Sequence, residues 1–252
     1  MFKKIISFLL VLILNLFLFV IDTQAYSDST DTDNDGISDY EEINIYHTNP
    51  KMIDTDEDSY SDGVEIVNGY SPWHLDGKKL VDVDSDEDGL NDAWEIKLGT
   101  NLVNTDSDSD GYLDGIEILH GYDPLSSLTI KIKKKIEVSL DTQVLSYYFG
   151  DKNLETFKIS SGVSSMPTPK GEFTILKKVP SRDYGGNGFS FYHPDTKWNL
   201  HFTSKRWRYY IHGAYWHNDF GQPASTGCVN VSYANMERLY NFAEIGTKIN
   251  IF

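Results

Sequence analysis

The sequence has a single cysteine, Cys228, among its 252 residues, so no disulfide bond can form within the chain. Basic residues are also scarce, with 22 Lys and Arg against 38 Asp and Glu, and the formal net charge is −16. The bases form no Arg-rich helix or recognition module, and the acidic excess would repel phosphate groups. These features exclude a disulfide miniprotein and argue against a nucleic-acid partner.

The acidic excess is confined to one part of the chain. Residues 26–127 contain 27 acidic and 4 basic residues, whereas residues 128–252 contain 10 acidic and 16 basic residues. With 40% hydrophobic residues, the chain has enough apolar material for one large or two ordinary domains. The charge division predicts two parts of opposite sign, with a boundary near residue 128.

Long apolar runs are absent except at the N-terminus. Lys3 and Lys4 precede an apolar run over 5–21, and Thr23 and Ala25 place small residues at positions −3 and −1 of a signal-peptidase site. We interpret residues 1–25 as a signal peptide cleaved after Ala25. The run is near the lower length limit for a membrane span, so an uncleaved anchor is the alternative. Either interpretation predicts an exported protein, located in the periplasm or at the cell wall or outside the cell.

Export makes the unpaired cysteine informative. Secreted proteins usually pair their cysteines, so a lone thiol is either used for its reactivity or buried as an inert small hydrophobe. The count alone leaves both interpretations open.

The acidic part contains four copies of a twelve-residue pattern. Residues 31–42 read DTDNDGISDYEE, with carboxylates at positions 1, 3, 5, 9 and 12 and a glycine at position 6. This is the order of ligands in a calcium loop, in which position 7 contributes a backbone carbonyl and the Glu at position 12 is bidentate. The predicted calcium ligands are Asp31, Asp33, Asp35, Asp39 and Glu42; Asp54, Asp56, Asp58, Asp62 and Glu65; Asp84, Asp86, Asp88, Asp92 and Glu95; and Asp106, Asp108, Asp110, Asp114 and Glu117.

Each copy continues into a short helix signal, and the copies start 23, 30 and 22 residues apart. This spacing predicts that the first copy pairs with the second and the third with the fourth. The second copy has Ser59 instead of glycine at position 6, so we expect it to be the weakest or the most strained there. The copies resemble bacterial thrombospondin type 3 repeats, which implies an array of calcium loop-helix units over residues 26–127.

The alternative for this acidic part is a disordered spacer, because high net charge and low hydrophobicity favour disorder. Glu at the twelfth position in all four copies favours structural Ca²⁺ instead. Without cations, repulsion among the carboxylates predicts an expanded chain. The acidic repeats are also a candidate contact for other components of the cell envelope.

From residue 128 the pattern becomes that of β-strands. Apolar residues alternate over 136–140, and strand signals follow at 144–149, 156–160, 172–176 and around Ile249 and Ile251. One helix is predicted between Ser232 and Phe242. We therefore expect a mainly β domain over 128–252 with one minor helix.

The most informative stretch of this domain joins a histidine to the cysteine. His212-Gly213 precedes Ser225-Thr226-Gly227-Cys228, so His212 lies sixteen residues before Cys228. A thiol becomes a nucleophile when an imidazole accepts its proton, and two neighbouring strands joined by a long loop would bring these side chains together. The backbone N–H groups around Cys228 are candidates to stabilise an oxyanion.

This stretch resembles the active-site signature of the L,D-transpeptidase catalytic domain, a β-rich cysteine-enzyme fold. Residues 166–175, MPTPKGEFTI, match a second segment of that family. The resemblance covers about residues 130–252. It implies Cys228 as the nucleophile, His212 as its base, the Gly213 carbonyl as a group that orients the imidazole, and Ser225 and Gly227 as residues that shape the nucleophile turn.

Two positions depart from the family pattern. Thr226 occupies the position before Gly-Cys where many members have histidine, and Asn230 occupies a position that is frequently arginine. These differences concern substrate preference and rate rather than the type of reaction. His217, within the loop between His212 and Cys228, either lines the cleft or is an exposed loop residue.

The resemblance implies acyl transfer on the stem peptides of peptidoglycan without ATP or a catalytic metal. The cysteine would form a thioester with the third residue of a tetrapeptide, and an amine of another stem would capture it as a 3→3 crosslink. The alternatives are an L,D-carboxypeptidase that uses water as acceptor, a non-catalytic calcium-dependent wall-binding protein, and a general cysteine peptidase, for which no separate signature is present.

Overall fold

The computed structural model describes residues 29–186, 191–203 and 208–252. The predicted signal peptide at 1–25 lies outside these residues. Among the residues described, no helix is both long and apolar enough to cross a membrane.

Four loop-helix units make up the acidic part. Each loop is followed by a helix, and three of these helices end at a glycine with positive φ, which satisfies their last carbonyls. The helices are α1 (Asp39–Glu41, continuing as a π-helical turn over Glu42–Tyr46), α2 (Asp62–Asn68), α3 (Asp92–Leu98) and α4 (Asp114–His120), with a 3₁₀ turn at Leu80–Asp82.

The units pack in pairs, as their spacing predicts. The Gly63 N–H donates to Asp35 Oδ2 at 2.7 Å, joining the first two units, and the Gly115 N–H donates to Asp88 Oδ2 at 2.9 Å, joining the last two. A Cβ at Gly63 would lie 2.5 Å from the Asp35 carbonyl oxygen, so the close approach requires glycine.

The rest of the described chain is mainly β with one helix, which confirms the predicted fold class. Two sheets have the strand orders β3-β2-β1-β9-β4 and β5-β6-β7-β8. Pairing is antiparallel except between β1 and β9 and between β7 and β8, which are parallel. The strands are β1 (Lys134–Ser139), β2 (Val144–Phe149), β3 (Lys152–Lys158), β4 (Gly171–Thr174), β5 (Lys177–Gly185), β6 (Tyr192–His201), β7 (Tyr210–Gly213), β8 (Val229–Val231) and β9 (Lys248–Ile251).

The single helix of this domain, α5 (Tyr233–Phe242), follows β8 directly. Its buried side chains Met236, Leu239 and Phe242 join the apolar core formed by the strands. The same core includes Trp94, Leu98 and Ile118 from the third and fourth units. The acidic part is therefore docked on the β domain through its second pair of units.

Candidate functional site

His212 and Cys228 lie on neighbouring parallel strands. His212 is opposite Asn230 in the pairing of β7 with β8, and Cys228 precedes Asn230 by two residues, immediately before β8 begins. Because side chains alternate along a strand, Cys228, Asn230 and His212 face the same side of the sheet. The long connection from β7 to β8 thus brings the two predicted reactive residues to one place.

Cys228 is presented by a tight turn. The Ser225 hydroxyl accepts a hydrogen bond from the Gly227 N–H at 3.1 Å and donates one to the Cys228 carbonyl at 2.5 Å. Gly227 has φ +111°, and a Cβ there would overlap the Tyr209 ring, so only glycine fits this position. Ser225 and Gly227 therefore hold the backbone that carries the thiol.

Thr168 supports the same turn from another segment. Its hydroxyl donates to the Gly227 carbonyl at 2.9 Å and accepts from the Gly162 N–H at 2.8 Å. Thr168 belongs to the segment MPTPKGEFTI, but sequence reasoning assigned it no role. The contact gives a physical reason for that segment to accompany the cysteine turn.

The imidazole of His212 is fixed by the backbone next to it. Its Nδ1 lies 2.9 Å from the carbonyl oxygen of Gly213, the contact that the family resemblance implies. A carbonyl only accepts hydrogen bonds, so Nδ1 carries the proton and Nε2 is left as a proton acceptor. Burial lowers the pKa of His212 to about 4, which keeps the ring neutral at neutral pH.

The thiol is half-buried and neutral in the same pH range. Burial raises the pKa of Cys228 to about 11, and a hydrogen bond from the Tyr210 backbone and the charge of Arg182 lower it only in part. In the described residues no hydrogen bond joins the thiol to the imidazole, so the pair is a neutral thiol and a neutral base rather than an ion pair. Catalytic hydrogen bonds commonly tighten only when substrate is bound.

Aromatic side chains form one wall of the site. The Tyr184 ring stacks on the His212 ring with centroids 4.3 Å apart, and the Trp216 ring lies 5.8 Å from it. Burial raises the pKa of the Tyr184 hydroxyl, and the charge that Cys228 would carry when ionised adds to this effect.

One of the two positions that depart from the family pattern, Asn230, carries an amide paired with a histidine. Asn230 is buried, and its amide lies 2.9 Å from His217 Nε2. Of the two interpretations of His217, the contact with Asn230 favours a residue that lines the site. The neutral amide adds no positive charge beside Cys228.

The carboxylates at positions 1, 3 and 5 come together in every acidic loop. In each of the four, these three Asp residues have oxygens within 4.8 Å of one another. The Asp at position 9 is placed differently, because both of its oxygens accept hydrogen bonds from the backbone and hydroxyl of the residue at position 2. Asp39, Asp62, Asp92 and Asp114 therefore brace the loops instead of joining the clusters.

The clusters have the donor chemistry of a calcium site. Each loop holds buried carboxylate oxygens without a hydrogen-bond partner, and all four position-12 glutamates contribute to them. Glu95 is fully buried with both oxygens unpaired. Burial, followed by repulsion from Asp86 and Asp88, raises the pKa of Glu95 to about 9. Oxygen donors that lack any other partner fit a hard cation such as Ca²⁺.

The second loop shows the expected strain at position 6. Ser59 has φ +85°, whereas the glycines at this position have φ between +95° and +104°. A side chain in this region of backbone space costs about 1 kcal/mol or more. The departure identified in the sequence is therefore a strained residue in the structure.

Replacing Ser59 by glycine should relieve this strain. We expect Ser59→Gly to tighten calcium binding by the first pair of loops about five-fold, equivalent to about 1 kcal/mol. Calorimetric titration of chelator-treated protein measures the effect. Gly89→Ser, the reverse change in the third loop, should weaken binding, and unchanged affinity in both variants would show that position 6 is not strained.

Both parts of the chain match known family models. Residues 133–251 match the family model of the L,D-transpeptidase catalytic domain. The resemblance is thereby confirmed for these residues. Residues 31–52, 84–101 and 106–127 match the bacterial thrombospondin type 3 repeat. The second loop, which contains Ser59, falls outside these matches.

A Bacillus licheniformis protein, named as the L,D-transpeptidase YkuD, is 28% identical to this chain over 120 residues. The match covers 48% of this chain and 66% of that protein, just under two thirds. The solved catalytic domain of an E. faecium L,D-transpeptidase is 26% identical, with a TM-score of 0.42, and the match covers 48% of this chain and 97% of that one. An L,D-transpeptidase structure from Mycobacterium tuberculosis is 21% identical, with a TM-score of 0.44, covering 48% of this chain and 58% of that one.

Proposed function

We propose that the protein is an exported cysteine L,D-transpeptidase that forms 3→3 crosslinks in peptidoglycan and carries an acidic N-terminal arm structured by calcium. The observation that supports the reaction most directly is the arrangement of His212 beside Cys228. The Nδ1 of His212 is held by the Gly213 carbonyl, which leaves Nε2 free to accept the thiol proton. The family match over 133–251 supports the same reaction class.

The proposed first half-reaction is acylation of the cysteine. Cys228 Sγ attacks the carbonyl carbon of the third residue of a tetrapeptide stem, and its proton passes to Nε2 of His212. Backbone N–H groups at the cysteine turn stabilise the oxyanion. The C–N bond then breaks, the proton passes from Nε2 to the leaving amine, and D-Ala departs from the thioester.

The second half-reaction decides between the two enzymatic candidates. An amine of another stem attacks the thioester, gives up a proton to His212 and forms the crosslink, and the thiol is regenerated. Water in the same position would make the protein an L,D-carboxypeptidase. The non-catalytic wall-binding protein stays as the third candidate, although the placement of both His212 and Cys228 at one site argues against it.

The proposed role of calcium is to order the acidic arm, and calcium takes no part in the proposed reaction. The carboxylates at positions 1, 3 and 5 and the glutamate at position 12 of each loop would hold the ion, and the ion would offset their repulsion and order the chain. The Asp at position 9 would act through its hydrogen bonds within the loop. An ordered acidic surface is also a candidate contact for other components of the cell envelope.

Mass spectrometry of muropeptide products tests the proposed function. Purified protein is incubated with tetrapeptide muropeptides, and a crosslinked dimer that has lost one D-Ala is the expected product. A tripeptide without dimer would instead assign the carboxypeptidase, and recovery of the unchanged substrate would contradict both enzymatic assignments.

A further inference from the structure

The cationic side chain of Arg182 lies beside the reactive pair. Arg182 of β5 places its guanidinium carbon 4.6 Å from the centroid of the Tyr184 ring and 4.4 Å from that of Tyr210. Both tyrosines belong to the site, because Tyr184 stacks on His212 and the Tyr210 backbone forms a hydrogen bond with Cys228. The two rings hold the planar guanidinium in position through cation–π contacts.

The donors of Arg182 are almost unused. In the described parts of the chain no carboxylate forms an ion pair with it, and its one hydrogen bond there runs from Nε to the Asp183 carbonyl at 3.5 Å. The Asp183 carboxylate accepts instead from the Tyr192 hydroxyl at 2.8 Å and from the Asp195 N–H at 2.9 Å. A half-buried guanidinium with free donors is suited to bind a carboxylate of a ligand.

The positive charge of Arg182 reaches both reactive groups. It lowers the pKa of the Cys228 thiol and also the pKa of the His212 imidazole, which is consistent with a position near both. The other residue with a claim to bind an anion here, Asn230, is neutral and paired with His217. Arg182 thus supplies positive charge on the β5 side of the site.

We propose that Arg182 binds the terminal carboxylate of the acyl-donor peptide. This inference rests on the proposed function, in which the donor ends one residue beyond the carbonyl that Cys228 attacks. One residue spans about 3.8 Å, so a carboxylate at that distance from the attacked carbon falls within the immediate surroundings of Cys228. Arg182 therefore selects donors with a free C-terminus and sets the position of their scissile bond.

Two donor peptides that differ only at the C-terminus test this assignment. One ends in a free carboxylate and the other in a carboxamide, and kcat/KM for D-Ala or D-Ala-amide release is measured for the wild type, Arg182→Gln and Arg182→Lys. We expect the wild type to prefer the acid about 10- to 100-fold, as for a charge-assisted hydrogen bond. Arg182→Gln should lose this preference, with kcat/KM falling more on the acid than on the amide, and Arg182→Lys should keep part of it.

Arg208→Gln is the matched control, because Arg208 is an exposed arginine whose charge acts on His201. It should keep the full preference for the acid. A preference that survives in Arg182→Gln, or an equal loss on both peptides, would overturn the assignment.

Binding of the same two peptides to Cys228→Ala protein separates this assignment from the proposed function. If neither peptide is turned over by the wild type, the proposed function fails, and the binding preference alone decides the role of Arg182. An acid preference that requires Arg182 would support the assignment, and equal affinity for acid and amide would contradict it.

Discussion

Cys228→Ala protein should form no acyl-enzyme and no crosslinked product. Cys228 carries the only thiol in the chain. Loss of a catalytic nucleophile typically lowers turnover by about 10⁴-fold or more. Intact-protein mass spectrometry after mixing with tetrapeptide measures the effect directly. The wild type should gain the mass of the tetrapeptide substrate minus that of the released D-Ala, whereas the variant should keep its own mass.

The fold should survive this change. Cys228 is only half-buried, and the turn that carries it is held by Ser225, Gly227 and Thr168 through backbone and hydroxyl contacts. The variant should therefore melt within a few degrees of the wild type. Ser225→Ala is a useful comparison, because it loosens the turn without removing the thiol and should lower the rate without abolishing it. Product formation by Cys228→Ala would refute the assigned nucleophile.

Replacing Trp94 by alanine is expected to have the largest effect on stability. Trp94 occupies position 11 of the third loop and is 6% exposed, with its ring 5.8 Å from those of Tyr147 and Phe242. Its Nε1–H donates to Glu155 Oε1 at 3.1 Å, and Arg238 binds the same carboxylate. Removing a large buried aromatic side chain of this kind costs about 3–5 kcal/mol.

The chain offers a matched control for Trp94. Val64 occupies the same loop position in the second unit, but it is 49% exposed and is not part of the apolar core shared with the β domain. Val64→Ala should change the free energy of unfolding by no more than about 0.5 kcal/mol. Labelling of Cys228 in increasing denaturant reports unfolding of the β domain, because Cys228 is the only thiol in the chain.

The same contact should transmit calcium binding to the β domain. Trp94 precedes Glu95, the proposed position-12 ligand of the third loop, so an ion that orders this loop should also hold the tryptophan in its docked position. With calcium about 100-fold above its dissociation constant, the β domain should gain about 2.7 kcal/mol. A chelator should remove this gain in the wild type and have little effect in Trp94→Ala. Equal effects of the chelator in both proteins would show that the two parts unfold independently.

The sequence predicted the elements that have a local signal. The span of β2 and the helix that begins after Ser232 match the structure, because alternation and helical periodicity are properties of short segments. β3 lies a few residues earlier than predicted, because it starts directly after the Gly150 turn. The hairpin of β5 and β6 was not predicted, since a register shift near Arg182 and positive φ at Asp195 and Trp198 interrupt its alternation.

The residues of the candidate site also fall into two groups, those that a motif identifies and those that only the packing reveals. His212, Cys228 and the residues of their turns could be found from a motif, because the chemistry requires those residue types at a recognisable spacing. Arg182 could not be found, because it lies in a strand with no motif and its importance depends on the rings packed beside it. The docking of Trp94 on the β domain could not be predicted from the sequence either, because its loop differs from the others mainly in that one side chain.

The pH dependence of acylation in the wild type and in His212→Ala tests the central claim, that this imidazole takes the thiol proton. With the pKa of His212 near 4 and that of Cys228 near 11, both groups are neutral between these values, and the active form is present throughout that range. The acylation rate of the wild type should be level across neutral pH and should fall in acid as His212 becomes protonated. The rate of His212→Ala should be about 10²- to 10⁴-fold lower. An undiminished rate in that variant, or a wild-type rate that follows thiol ionisation near its ordinary pKa of about 8.5, would contradict it.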